Sequence, residues 1–258
     1  MYKDTKIGIS LSGGGARGMA HIGVLAGLEL NGIFPDVIIG TSAGAIIGVL
    51  YAAGYGPDEI LTIAKESNLN RIFRPAMSLR GWSNQRHLEE QLKKYVEFER
   101  IEDLPKKFFL GLTNLNKGKH EVWTEGPLYK AVMASAAVPG VFQTVEINDD
   151  LYLDGGVMNN MPAENIRSEC DFLIGSNVVT KDLKTNKELG NIRSILSRVF
   201  EISLWYRSRL DEDHCDMVIE PKGLNAYHVF NFSKAEEMYQ LGLRSTLGQI
   251  DTIISALS

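Results

Sequence analysis

Two segments of this chain share one pattern: a short apolar run, a cluster of small residues, then an apolar run of helical length. The first is "KIGISLS" (6–12), which leads into "GGGARG" (13–18) and "MAHIGVLAGLEL" (19–30). The second is "VIIG" (37–40), which leads into "TSAGAIIGVLYAA" (41–53). Short runs of this kind bounded by glycine predict buried strands, and the stretches after them carry an apolar stripe at helical period. A β-α-β-α order calls for parallel strands joined by right-handed crossovers, which places both small-residue turns on the carboxyl rim of one sheet. The expected class is α/β with a mainly parallel central sheet.

The rest of the chain extends this pattern. Helices are expected near 57–67 (after Pro57), 84–98 and 127–138 (stopped by Pro139), with a hairpin from "KFFLGLTNL" through Asn116–Gly118 to "HEVWT". "LYLDGG" ends a strand at Asp154, "DFLIGSNVV" and "CDMVIEP" predict two more strands, and long helices are expected near 191–212 and 233–256. No repeat or linker divides the 258 residues, so one domain over 1–258 is expected, with its motifs in about 5–180 and a helical part over about 190–258.

With 44% hydrophobic and 23% charged residues, the chain can bury a large core, and its net charge of −5 carries no footprint for nucleic acid. Cys170 and Cys215 each open an apolar run without metal-ligand company, so they are expected to be small core residues in a reducing compartment. The first residues lack a secretory pattern, and a cytoplasmic location is expected. Val37 to Tyr55 is uncharged and nearly long enough for a membrane span, but Gly40, Thr41 and Ser42 interrupt any helix there. A strand, a turn and a buried helix fit it better.

Gly40-Thr41-Ser42-Ala43-Gly44 fits G-x-S-x-G between a strand and a helix, the context of a nucleophile elbow, although a serine there equally serves as a helix cap. Gly13, Gly14 and Gly15 offer amides at a helix start for an oxyanion. Gly13, Gly15 and Gly18 also satisfy the dinucleotide pattern G-x-G-x-x-G, but the ribose-binding acid that pattern expects after the second strand is missing, since that strand ends in Gly40, Thr41 and Ser42. His214 and His228 lie in a charged run and an aromatic run rather than in glycine-marked loops, and are expected to be structural. Asp154, followed by Gly155 and Gly156, is the better partner for the serine, with a plain turn aspartate as its alternative.

Taken together, "GGGARG" (13–18), Gly40-Thr41-Ser42-Ala43-Gly44 and Asp154-Gly155-Gly156, with "AHIGVL" (20–25) and "ASAAVPGVF" (134–142), resemble the patatin-like phospholipases, particularly bacterial cytoplasmic members. The resemblance covers roughly the first two-thirds of the chain. It implies a three-layer α/β/α fold and a lipid acyl hydrolase working through a Ser-Asp dyad and an acyl-enzyme, with no cofactor and no metal. Ser42 is then the nucleophile, Asp154 the base and Gly13, Gly14 and Gly15 the oxyanion hole, supported by Arg17, Gly40, Gly44, Gly155 and Gly156. Arg17 either orients the glycine loop or adds positive potential, a surface ion pair being its plain alternative, and Pro139 and Phe142 shape a pocket wall. The implied partner is a lipid ester, and a non-catalytic lipid-binding protein or an acyltransferase are the other classes the same residues allow. Residues 71–87, basic and aromatic, are read either as a peripheral membrane contact or as an ordinary loop.

Overall fold

The computed structural model describes residues 5–67, 85–181 and 183–257. Its strands are β1 (Ile7–Leu11), β2 (Val37–Gly40), β3 (Lys107–Asn114), β4 (Lys119–Trp123), β5 (Val145–Ile147), β6 (Asp150–Asp154), β7 (Phe172–Ser176) and β8 (Met217–Ile219). They form one sheet in the order β5-β6-β3-β2-β1-β7-β8, with β4 added to β3. Four pairings are parallel, β3-β2, β2-β1, β1-β7 and β7-β8, and those of β3 with β4 and β6 and of β5 with β6 are antiparallel. The sheet is thus mixed. The parallel half carries the two small-residue turns, and the antiparallel half delivers Asp154.

Side-chain alternation explains how both faces of this sheet are buried. Ile7, Ile9, Leu11, Ile38, Phe108, Leu110, Phe172 and Ile174 join the main core, whereas Val37, Ile39, Phe109 and Leu173 join Ala163 and Ile166 in a second core. The helices are α1 (Met19–Glu29), α2 (Ala43–Ala52), α3 (Pro57–Glu66), α4 (Gln85–Tyr95), α5 (Leu128–Ser135), α6 (Ile192–Leu210), α7 (Ala235–Leu247) and α8 (Ile250–Leu257). Short 3-10 turns over Ala163–Glu169 supply the second core.

Three sequence expectations change. Helix α1 does not present one apolar stripe: every residue from Met19 to Leu28 is buried. It is packed so tightly against α7 that a Cβ on Gly23 would lie 1.9 Å from Tyr239 O, and one on Gly242 2.0 Å from Ala20 O. The helix expected over 233–256 is two, α7 and α8, separated at Gly248 and Gln249, and the helix expected to reach residue 138 ends at Ser135. The end of α2 follows its sequence: Gly54 takes φ 103°, and the amides of Gly54 and Tyr55 return to Tyr51 O and Leu50 O. At the start of α3, Pro57 takes the first position and Glu59 accepts the Gly56 amide at 2.8 Å.

Candidate active site

Ser42 stands between β2 and α2 at φ 54°, ψ −120°, backbone angles that disfavour a residue with a Cβ and cost on the order of 1–3 kcal/mol. Its neighbours hold it there. A Cβ on Gly44 would lie 2.1 Å from Leu11 O, and one on Gly40 2.4 Å from Gly44 O, so only glycine lets β1, β2 and α2 approach this closely. The Ser42 amide donates to Ser135 Oγ at 3.1 Å, and the buried Ser135 hydroxyl donates to Gly111 O at 2.8 Å. The Ser42 side chain makes no capping bond to α2. The Asp154 carboxylate lies near enough to feel its hydroxyl, which draws that carboxyl's pKa down.

Asp154 ends β6 opposite Leu112 of β3, its own amide fixed on Ala137 O at 3.1 Å. The chain turns sharply at Gly155, where a Cβ would lie 2.3 Å from Gly111 O, and the Gly156 amide donates back to Asp154 Oδ1 at 2.8 Å. Only 1% of Asp154 is exposed. Burial pushes its carboxyl up from 3.8 to about 7, the bonds from Ser42 and Gly156 pulling more weakly the other way. No histidine is among the groups that bear on it.

The glycine loop lies alongside Ser42: a Cβ on Gly13 would be 3.2 Å from Ser42 Cβ and 2.4 Å from Asn160 Oδ1. Its three amides are not equivalent. Gly13 N donates to Asn160 O at 3.0 Å, whereas Gly14 N and Gly15 N have no hydrogen-bond partner among the described residues. Gly15 takes φ 59° beneath Val229 O, which accepts the Ala16 amide at 2.7 Å. Arg17 is 6% exposed; its Nε donates to Tyr227 O at 2.9 Å and an Nη to Thr180 Oγ1 at 2.7 Å. It ties the glycine loop to the segments after β7 and before α7.

Asn160, Ser135, Tyr227 and Val229 complete this neighbourhood without a signal in the sequence pattern. Asn160 Nδ2 donates to Ser208 Oγ of α6 at 2.7 Å, while its buried Oδ1 has no partner. Tyr227 and Val229 act through backbone carbonyls, which any residue supplies. Of the family-block residues, Phe142 is buried and Pro139 exposed. Cys170 and Cys215 are half-buried and unpaired, and burial pushes the Cys215 thiol up to about 12. Residues 71–84 of the expected membrane contact lie outside the described residues.

Five histidines occur. His21 is fully buried, bonded to Ser176 Oγ at 2.7 Å and Ser12 O at 2.9 Å, and burial lowers it to about 4, so it stays neutral behind the glycine loop. His228 Nδ1 accepts the Phe230 amide at 3.3 Å. His214 gathers with Glu164 and Asp211, their ligand-capable atoms within 4.8 Å of one another, and Asp211 Oδ1 already accepts the Glu164 amide at 3.2 Å. A surface cavity of about 550 Å³ between β8 and α7, lined by residues such as Glu220, Lys222 and Arg244, contains none of the residues around Ser42.

A mixed α/β sheet that brings a strained serine turn, a glycine loop and a buried carboxylate to one rim defines the class to which the chain is to be compared. The family model described as patatin-like phospholipase matches residues 9–166, and the chain belongs to that family. Among curated relatives it is 27% identical to the lysophospholipase NTE1 of Saccharomyces cerevisiae over 92% of this chain and 16% of that one. It is 32% identical to the lysophospholipase NTE1 of Yarrowia lipolytica over 63% of this chain and 12% of that one. The chain thus spans less than a fifth of the length of these relatives. Among solved structures, VipD from Legionella pneumophila shares the fold, with a TM-score of 0.55 and 15% identity over 96% of this chain and 67% of that one. ExoU, in its complex with SpcU from Pseudomonas aeruginosa, does so with a TM-score of 0.52 and 16% identity over 96% of this chain and 51% of that one. Among the described residues, no helix is long and apolar enough to cross a membrane.

Proposed function

We propose that the chain is a carboxylic ester hydrolase that cleaves acyl esters of phospholipids or lysophospholipids through Ser42 and Asp154. The observation that carries this reading is a strained, uncapped serine set beside a buried carboxylate raised to about 7. An ordinary aspartate is too weak a base toward a hydroxyl, whereas one with a pKa near the working pH accepts a proton while still largely available as a base. As Ser42 Oγ attacks the ester carbonyl carbon, its proton passes to Asp154 and the carbonyl oxygen becomes an oxyanion. Gly13 N is spent on Asn160 O, so of the three glycines Gly14 N and Gly15 N are the donors left for the oxyanion. The tetrahedral species collapses by breaking the bond to the alcohol, which leaves with the proton from Asp154. Water, deprotonated by the same carboxylate, then cleaves the acyl-Ser42 ester and releases the fatty acid.

The lysophospholipase names of the relatives support a lipid ester as substrate. Labelling by a fluorophosphonate probe is expected in the wild type and lost in Ser42→Ala, together with fatty-acid release from lysophospholipids. Labelling without free fatty acid would favour acyl transfer, and a folded wild type showing neither would leave only a binding protein.

A further inference from the structure

Helix α6 is amphipathic in an inverted sense. One face meets the site: Leu204 reaches Gly156, Ser208 Oγ accepts from Asn160, and an Arg207 Nη donates to Met158 O at 2.6 Å. The opposite face is apolar and open to solvent, with Ile192, Leu196, Val199, Ile202, Tyr206 and Leu210 between 50% and 71% exposed. At 100° per residue these six fall within an arc of about 120°, a continuous stripe along the helix. Such a stripe on an otherwise well-buried protein marks a docking surface. Residues 181–210 carry seven Lys and Arg against three acidic residues, although Lys184 and Arg198 pair with Glu188 and Glu201, and Arg209 with Glu212 and Glu220 beyond the helix. Lys181 lies beside the helix with no carboxylate partner among the described residues, its Nζ 4.9 Å from the centre of the Trp205 ring.

We propose that α6 docks this protein on an anionic lipid surface, its apolar stripe entering the headgroup boundary and its basic flanks facing lipid phosphates. The choice of a lipid surface as occupant rests on the lipid-ester reading of the site. Two further observations favour it over a second copy of the chain. The flanking positive charge complements anionic headgroups and repels a like helix, and the stripe is broader than the narrow seam of a two-stranded coiled coil. Because the inner face of the same helix contacts Gly156 and Asn160, docking brings the Ser42 rim to the layer that holds the substrate.

The test uses vesicles of diether phosphatidylcholine with and without diether phosphatidylglycerol, which carry no ester, so binding is read apart from turnover. The wild type is expected to sediment with the anionic vesicles. Leu196→Glu/Tyr206→Glu should bind them at least tenfold more weakly, and Leu196→Gln/Tyr206→Gln severalfold more weakly. Neither pair lies in the site, so turnover of p-nitrophenyl butyrate and the melting temperature should stay at wild-type values. Wild-type-like sedimentation of both variants, or a wild type that does not sediment, overturns the proposal. So does a wild-type dimer that the variants dissociate while vesicle binding is unchanged, which assigns the stripe to a second copy. A wild type that binds vesicles as expected but turns over no soluble ester sinks the esterase reading and leaves the docking face standing.

Discussion

Replacing Asp154 by Asn is expected to abolish turnover and to make the protein more stable at alkaline pH. Raising a folded-state pKa from 3.8 to about 7 means that the native state holds its proton where the unfolded chain has lost it. Stability from this group is therefore fully present below about pH 4 and is lost as pH rises through 7. At 1.36 kcal/mol per unit, the charged carboxylate costs the fold about 4 kcal/mol at pH 8 and about 1–2 kcal/mol at pH 5. Asn carries no charge but cannot accept both the Ser42 hydroxyl and the Gly156 amide on one oxygen, which costs about 1–3 kcal/mol. The net gain at pH 8 is about 2 kcal/mol, or roughly 4–8 °C in Tm for a chain of this size. Calorimetry of both proteins between pH 5 and pH 8 is the assay, with ester turnover measured on the same samples. The Asn variant should gain on the wild type by about 2–3 kcal/mol across that range. A stability difference that does not change with pH, or that favours the wild type more at pH 8 than at pH 5, would refute the argument that Asp154 is held in a charge-hostile site.

The same carboxylate predicts that kcat/KM for a soluble ester rises with pH through about 7 and then levels, a pH-rate profile with no acidic plateau being the sign of a base at work. Ser135→Ala leaves the Ser42 amide and Gly111 O without their buried partner, so denaturant unfolding should show a loss of about 2–3 kcal/mol, with kcat falling more than KM changes. Gly44→Ala drives a methyl into Leu11 O, and the variant is expected to be recovered insoluble or without activity even on soluble esters. On the acid side, His21 stays neutral down to about 4 in the fold while the unfolded chain protonates near 6.5, so stability falls as pH drops from about 6.5 to 4, as acid titration by circular dichroism would show.

Most of the candidate site was legible in the sequence because its turns admit few residue types. The turn around Ser42 excludes a side chain at positions 40 and 44, and the turn after Asp154 excludes one at 155, so glycine spacing carried the information. Conversely, Tyr227 and Val229 act through carbonyls and Asn160 partly so, and no side-chain pattern announces them. Composition could not divide a capping from a nucleophilic Ser42, since both need a hydroxyl at a helix start; the missing cap bond and the buried carboxylate that feels this hydroxyl, 112 positions away in the chain, are visible only in the fold. Helix α1 was misread as striped because a helix enclosed on every side has no period to detect, and its glycines make sense only beside Gly242 of α7. The antiparallel half of the sheet, with β5 and β6 hung on β3, left only a local hairpin signal.

The position of β7 has a consequence for anyone who would cut this protein. The stretch matched by the family model stops at residue 166, but β1, which launches the glycine loop, is hydrogen-bonded along its whole length to β7 at Phe172–Ser176. Inherited signature and cooperative unit therefore do not share an endpoint. A polypeptide ending at 166 would keep Ser42, Asp154 and all three glycines yet bare one flank of β1 and strip α1 of its cover, and it should come out of expression as an aggregate rather than as a minimal enzyme.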